Sequence, residues 1–220
     1  MSAARRTVVK VCGLTRAEDA AWAIHSGADW LGFILKGDSP RLVAPEHAAT
    51  ITAALPGVTA VAVMVAVGPD EALDLAKRAG AVRVQLHRVD PASWPTAFPL
   101  SCAFAMSVSA DGAVLGHEPG AAHLVLLDTA DAQRAGGTGR VFPWQAARPL
   151  AGRRDVMLAG GLDGGNVAVA IEALRPFGVD ASSRLESAPG VKDPERVRRY
   201  VAAVREWDDR ERHERHDAAR

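Results

Sequence analysis

The sequence predicts the α/β class, and within it a compact (β/α)8 TIM barrel with irregular fourth and fifth βα connections. Short apolar runs alternate with helix-like segments along the 220 residues, a pattern typical of βα units that pair into a parallel sheet. Eight such runs can be distinguished, the number of strands that closes this barrel. An open doubly wound sheet is the alternative, but the segment Cys12 to Thr15 is unlike the glycine-rich dinucleotide motif expected after its first strand.

Most of the predicted strands are continuous apolar runs, as expected when both faces of a strand are covered. Proline and glycine are frequent after the fourth and fifth strands, so we expect short or irregular connections there. The predicted strands are Thr7 to Cys12, Trp30 to Leu35, Ala60 to Val65, Val82 to His87, Cys102 to Val108, His123 to Asp128, Asp155 to Ala159 and Gly178 to Ser182.

Helical segments fall between several of these strands. The first carries a capping-box pattern, Thr15 followed by Glu18, and an apolar stripe through Ala20, Ala23 and Ile24. Further helices are predicted over His47 to Ala54, Glu71 to Ala79, Asn166 to Leu174 and Pro194 to Val204. We predict one barrel domain over residues 1–207, followed by a charged, disordered tail over residues 208–220, where no apolar periodicity is visible.

Composition narrows the classes of function. The formal net charge is zero and the pI is near 7.1, which argues against a nucleic-acid partner. No apolar stretch is long enough to span a membrane. Two cysteines make a poor disulfide framework, so we expect a reduced, cytoplasmic protein. The expected partner is a small molecule, with a monomer or weak homodimer as the oligomeric state.

Two polar residues, Cys12 and Asp128, end apolar strands, where a side chain is placed for chemistry. In a barrel, the C-terminal ends of the strands form the face on which substrates bind. A thiol and a carboxylate on this face predict proton transfer that needs neither a metal nor a cofactor. Each has a simpler interpretation: Cys12 as a small buried hydrophobe, and Asp128 as a helix cap.

The surroundings of Cys12 give it a possible means of activation. Lys10 lies two residues earlier and should point to the same side, where an ammonium group favours the thiolate. Cys102 begins its strand instead, so we expect it at the bottom of the barrel in a packing role.

Other residues suggest how a phosphorylated ligand is held. Gly160-Gly161 and Ser182-Ser183 end the seventh and eighth strands, between which barrels commonly bind phosphate. The loop Gly136 to Gly139, which includes Gly137, has the composition of a flexible lid or a simple turn. Arg41 offers a planar fork suited to a carboxylate, and His87 is either a ligand contact or a solvated histidine.

The chain resembles the phosphoribosylanthranilate isomerase family, a (β/α)8 enzyme family of tryptophan biosynthesis. The resemblance rests on motifs in matching order: Lys10 to Thr15, Gly27 to Asp29, Leu31 to Phe33, Ser39 to Arg41, Val84 to His87, Leu126 to Thr129, Gly136 to Gly139, Leu158 to Leu162, Asn166-Val167 and Glu186 to Asp193.

The resemblance implies an Amadori rearrangement of N-(5-phosphoribosyl)anthranilate to 1-(2-carboxyphenylamino)-1-deoxyribulose 5-phosphate. It implies Cys12 as the general base, Asp128 as the general acid, and Arg41 as the partner of the anthranilate carboxylate. It also implies that Gly160, Gly161, Ser182 and Ser183 surround the phosphate.

Two positions depart from the family pattern. Arg88 and Arg184 stand where the family usually has glycine. Arg184 would either supply a charged contact to the phosphate or crowd the pocket. Two alternatives therefore stay open beside the isomerase: a diverged sugar-phosphate isomerase of a secondary pathway, and a barrel that binds a phosphorylated ligand without catalysis.

Overall fold

The computed structural model describes residues 6–108, 114–129 and 144–218 of the chain. Eight parallel strands close into a barrel, in the order β4-β3-β2-β1-β8-β7-β6-β5, with β4 paired to β5. The predicted TIM barrel is confirmed. The strands are β1 (Val8–Cys12), β2 (Trp30–Lys36), β3 (Thr59–Val65), β4 (Arg83–His87), β5 (Ser101–Val108), β6 (Leu124–Thr129), β7 (Val156–Leu158) and β8 (Gly178–Ala181).

The helices pack around the outside of the barrel. Pro45 and Pro69 each occupy the first turn of their helix, where the missing N–H costs nothing. No helix of the described residues is long and apolar enough to cross a membrane. The helices are α1 (Ala17–His25), α2 (Pro45–Ala53), α3 (Pro69–Arg78), α4 (Arg148–Ala151), α5 (Val167–Leu174) and α6 (Pro194–Ala218).

The connections after β4 and β5 are irregular, as predicted. A single 3-10 turn, Pro91–Ser93, is the regular structure between β4 and β5. In the described part of the next connection, Val114–Leu115 pairs antiparallel with the end of β5. Two more 3-10 turns follow, Trp144–Ala147 and Ser183–Leu185, and a short hairpin joins Glu186–Ala188 to Val191–Lys192.

The core has two layers, one between the barrel and its helices and one inside the barrel. Alternate residues of each strand point inward, because side chains of a strand alternate between its faces. The inner cluster contains Cys12 of β1 and Leu126 of β6, together with Trp30, Val61, Val63, Met157 and Ala159. Charged side chains share this interior, since Lys10 and Asp180 are both buried.

The start of α1 differs from the prediction. The Thr15 hydroxyl donates to the carbonyl of Gly190 in the C-terminal hairpin, and no side chain caps the helix at Arg16. The capping-box prediction was wrong because the docked hairpin offers this hydroxyl a different acceptor.

The predicted disordered tail is helical up to Ala218, so the predicted boundary at residue 207 lies inside α6. Asp208 is only 5% exposed, and it accepts hydrogen bonds from the backbone N–H and hydroxyl of Thr7. Beyond it, ion pairs such as Arg215 with Glu211 connect successive turns. The helical extension beyond residue 207 could not be predicted from apolar periodicity, because polar contacts stabilise it.

Candidate active site

Cys12 and Asp128 lie at the same end of the barrel. Cys12 is the last residue of β1, and Asp128 lies next to last in β6, in register with Ser107 of β5. Leu126, two residues before Asp128, belongs to the same inner cluster as Cys12, so both candidate groups face the barrel axis. Cys12 is 6% exposed, whereas Asp128 is half-buried. A thiol and a carboxylate therefore flank the mouth of the barrel.

The ammonium of Lys10 lies directly beneath the sulfur. Lys10 is fully buried, and its Nζ donates to Asp180 Oδ2 at 2.7 Å. A Cβ atom at Gly32 would lie 2.8 Å from Cys12 Sγ and 3.0 Å from Lys10 Nζ, so both groups border the same point. Glycine at this position of β2 leaves the room that the two side chains occupy.

Burial dominates the ionisation of the sulfur. Desolvation raises the pKa of Cys12 above its usual value, although the charge of Lys10 acts in the opposite direction. Desolvation lowers the pKa of Lys10, but Asp180 and Cys12 outweigh it and raise the pKa overall. The prediction that Lys10 lies beside Cys12 was right. A net preference for the thiolate is not found, because the surrounding cluster is mostly apolar.

His87 ends β4 and is held in its neutral form. Burial, together with the charges of Lys10 and Arg88, lowers its pKa to about 4. Its Nε2 lies 2.9 Å from Nε2 of the buried Gln85. A neutral imidazole at the barrel mouth can donate or accept a hydrogen bond with a ligand without adding charge to the site.

The predicted phosphate residues lie on two neighbouring loops. Gly160 and Gly161 follow β7 with φ of 89° and 64°, a left-handed conformation that favours glycine. Ser182 follows β8, and Ser183 begins the 3-10 turn Ser183–Leu185. Backbone N–H groups of such turns suit a phosphate.

Arg184 connects these two loops. Its Nη1 lies 3.4 Å from Oδ2 of Asp163 in the loop after β7, and its side chain is half-exposed. Gly137, predicted to contact the substrate from a lid, lies outside the described residues.

Arg41 is held by a residue that sequence reasoning missed. In the loop after β2, its Nε and Nη2 donate to the two carboxylate oxygens of Glu186, each at 2.7 Å. Lys192 Nζ donates to the same carboxylate at 2.8 Å. The signal in the sequence was the pair of charged residues, Glu186 and Lys192, on either side of the Pro189-Gly190 turn.

The model of the N-(5'phosphoribosyl)anthranilate (PRA) isomerase family matches residues 9–203, which is most of the chain. The chain belongs to this family. The resemblance seen in the sequence motifs is confirmed, and with it the isomerase class and the place in tryptophan biosynthesis. Of the three alternatives, membership favours the isomerase itself.

Curated relatives are similar in sequence to this chain over nearly their whole length. The N-(5'-phosphoribosyl)anthranilate isomerase of Rubrobacter xylanophilus is 42% identical over 207 residues, covering 90% of this chain and 98% of the relative. That of Geobacter sulfurreducens is 39% identical over 202 residues, with the same two coverages.

Solved structures of PRA isomerases share the fold. The crystal structure from Thermotoga maritima superimposes with a TM-score of 0.78 at 32% identity, covering 91% of this chain and 99% of the other. A second crystal structure is of a PRA isomerase in complex with reduced 1-(o-carboxyphenylamino)-1-deoxyribulose 5-phosphate. It has a TM-score of 0.74 and 31% identity, and it covers 91% of this chain and 99% of the other. A third crystal structure is of monomers generated from the dimeric Thermotoga maritima enzyme. It has a TM-score of 0.75 and 31% identity, with the same coverage of the two chains.

Proposed function

We propose that this PRA isomerase works by two proton transfers with the substrate, one from Asp128 as the general acid and one to Cys12 as the general base. The observation that carries the proposal is the meeting of an inward-facing thiol and an inward-facing carboxylate at the C-terminal end of one barrel. The two strands, β1 and β6, are three positions apart around the ring of eight. A small sugar at the mouth can therefore be reached from two sides.

The reaction divides into two proton movements. Asp128, in its acid form, protonates the ring oxygen of the ribose, and the ring opens as the nitrogen lone pair forms a C1=N bond. Cys12, as the thiolate, then removes the proton from C2, which gives an enolamine. Tautomerisation of the enolamine to the ketone completes the Amadori rearrangement, so no atoms are gained or lost.

Lys10 supports the thiolate that this step requires. A sulfur anion in an apolar cluster is costly, and the ammonium below it offsets part of that cost. Asp180 holds the ammonium at 2.7 Å, so the positive charge stays in place when the sulfur loses its proton.

The remaining predicted residues bind the two anionic ends of the substrate. We infer that Gly160, Gly161, Ser182 and Ser183 receive the phosphate on the loops after β7 and β8. Arg184 supports these loops through Asp163. Beside the end of β1, Arg41 would meet the anthranilate carboxylate, and neutral His87 would bond a substrate hydroxyl.

Location and assembly belong to the same proposal. We infer a cytoplasmic enzyme, since Cys12 and Cys102 are both free thiols, as a reducing compartment maintains. We infer a monomer or weak homodimer. The dimeric relative supports the possibility of a pair, and sedimentation at increasing concentration would measure it.

Three variants test the assigned roles. Cys12→Ala and Asp128→Asn should each lower kcat with N-(5'-phosphoribosyl)anthranilate by about 10²- to 10⁴-fold, because each removes one proton-transfer group. Cys102→Ala is the matched control, since this second buried cysteine lies in β5 next to its start. It should keep kcat within about twofold. Unchanged turnover in a folded Cys12→Ala or Asp128→Asn protein would contradict the assignment.

A further inference from the structure

The guanidinium of Arg41 is fixed in one plane by Glu186. Two parallel hydrogen bonds of 2.7 Å, from Nε and Nη2, engage both carboxylate oxygens. The Glu186 side chain is 4% exposed, whereas that of Arg41 keeps 18% exposure. A guanidinium has five N–H donors in a rigid fork. The edge formed by Nη1 and the outer hydrogen of Nη2 is therefore left for a second carboxylate.

Lys192 adds a second cation to the same carboxylate. Its Nζ donates to Glu186 Oε1 at 2.8 Å and to the carbonyl of Ser182 at 3.2 Å, and its side chain is fully buried. Two positive groups thus share one negative group. The pKa of Glu186 is lowered, because Arg41 and Lys192 together outweigh the effect of its burial. The cluster carries one excess positive charge, which an anionic ligand would neutralise.

The hairpin that carries Glu186 and Lys192 forms three hydrogen bonds with the start of α1 and with α6. Asp19 of α1 accepts from the Lys192 backbone N–H at 2.9 Å, and Thr15 donates to the carbonyl of Gly190. Arg196 of α6 donates to the carbonyl of Glu186. These three hydrogen bonds hold the hairpin in place, so the carboxylate of Glu186 can set the direction of Arg41.

Arg41 lies between the proposed base and the proposed phosphate loop. A Cβ at Gly13, the residue after Cys12, would lie 2.6 Å from Arg41 Cδ and 2.8 Å from Ser182 Oγ. The side chain therefore passes directly over the end of β1. A carboxylate bound to its free edge would sit beside the reacting carbons.

We propose that Glu186 is a positioning residue that turns the free edge of Arg41 toward the aromatic carboxylate of the substrate, and that Lys192 supplies the excess positive charge that makes this place selective for an anion. The hairpin Glu186–Lys192 thereby determines which N-substituent of the aminosugar is accepted. This inference rests on the proposed function, in which Arg41 meets that carboxylate.

Binding of two stable ligands tests the inference by calorimetry. One is reduced 1-(o-carboxyphenylamino)-1-deoxyribulose 5-phosphate, and the other is the same compound without the carboxyl group. The unaltered enzyme should prefer the carboxylate ligand by about tenfold or more. Glu186→Gln increases the net positive charge beside Arg41, so charge alone would strengthen this preference. Because the amide no longer fixes the plane of the guanidinium, we expect the preference to fall to about threefold or less, with affinity for the other ligand nearly unchanged. The KM of this variant for N-(5'-phosphoribosyl)anthranilate should rise about tenfold, with a smaller change in kcat.

Glu195→Gln is the matched control. Glu195 also binds an arginine with both oxygens, Arg198 at 2.7 and 2.8 Å, but on the exposed face of α6. It should leave the preference between the two ligands unchanged. If Glu186→Gln does not fold, Glu186→Asp gives the same test, because it keeps the charge but withdraws the carboxylate from Arg41 by one methylene group. Lys192→Met tests the charge role, because it removes the excess charge and keeps the Arg41–Glu186 pair. Its preference should also fall to about threefold or less.

Different outcomes test the positioning role of Glu186 and the proposed isomerase function. If the Glu186 variants weaken both ligands equally, or keep the full preference, the positioning role of Glu186 is overturned. The same result for Lys192→Met overturns the charge role of Lys192. If the unaltered enzyme does not isomerise N-(5'-phosphoribosyl)anthranilate, the proposed function itself fails.

Discussion

At the residue scale, charged groups inside the barrel bear on the proposed role of Cys12 as a base. Lys10 and Asp180 form a buried ion pair at 2.7 Å beneath Cys12. A buried pair of this kind contributes little to stability, because desolvation offsets most of the attraction. Its value here is a fixed positive charge beside the sulfur.

His87 gives the protein a pH-dependent stability. Its pKa falls from 6.5 to about 4 on folding, so between these values the unfolded chain binds more protons at this residue. Stability is therefore lost as the pH drops from about 6.5 to about 4. Because His87 as a residue is only partly buried, we expect a loss of about 2 kcal/mol from this group. Urea unfolding at pH 7 and pH 4.5 gives the free energy of unfolding that is lost between these two pH values. His87→Asn should lose about 2 kcal/mol less than the unaltered protein. An equal loss in both proteins would contradict the pKa shift of His87.

Position along a strand was enough to predict where the side chains of Cys12 and Asp128 lie, but not what holds Arg41. Cys12 and Asp128 could be found because each follows an apolar run of its own strand. The pairing of Arg41 with Glu186 joins residues 145 positions apart, and no local pattern in the sequence encodes it. Burial of Cys12 likewise depends on the whole inner cluster, which is why the direction of its pKa shift could not be read from Lys10 alone.

At the element scale, the lack of a side chain at Gly32 in β2 leaves space for the side chains of Cys12 and Lys10 in β1. Gly32 is in register with Cys12, and a Cβ there would lie within about 3 Å of both Cys12 Sγ and Lys10 Nζ. Real Cβ atoms essentially never show a contact as short as the one with the sulfur, so Cys12 Sγ or the strand backbone would have to move, and Lys10 Nζ would be tightly packed.

Gly32→Ala should therefore impair catalysis more than folding. We expect kcat to fall at least about tenfold, because the sulfur is displaced, and the free energy of unfolding to fall by about 1–3 kcal/mol. Gly120→Ala is the control, since a Cβ there meets no atom within 4 Å. Steady-state kinetics and urea unfolding of both variants give the comparison. Equal kcat values in the two would show that Gly32 does not shape the site.

The elements themselves were largely predictable, and their end contacts were not. Apolar runs located the barrel strands to within about two residues, since both faces of each strand are buried. The start of α1 and the length of α6 depend on partners distant in sequence, Gly190 and Thr7 respectively. Such contacts have no periodic signature.

At the scale of the whole molecule, α6 ties the end of the chain to the start of the barrel. Asp208 accepts from Thr7 N at 3.1 Å and from Thr7 Oγ1 at 2.7 Å. Arg205 donates to the carbonyls of Thr7 and Gly27 and to Asp29. The last long helix thus holds the first strand in place.

Asp208 and its neighbour Asp209 provide a direct test of this connection. Asp208→Ala should lower the free energy of unfolding by about 2–3 kcal/mol, because it removes a buried carboxylate that accepts several hydrogen bonds. Asp209→Ala alters only an exposed pair with Arg212 and should change it by less than about 0.5 kcal/mol. Urea unfolding at neutral pH measures both. Similar values for the two variants would mean that the helix is not anchored at Asp208.

The central claim is that a sulfur base and a carboxylic acid act on one sugar from two sides of the barrel mouth. The most direct measurement is a crystal structure of this protein with reduced 1-(o-carboxyphenylamino)-1-deoxyribulose 5-phosphate. We expect Cys12 Sγ within about 3.5 Å of the ligand carbon C2, and an Asp128 oxygen within hydrogen-bond distance of a sugar oxygen. A ligand bound at the mouth with either group out of reach would contradict the mechanism.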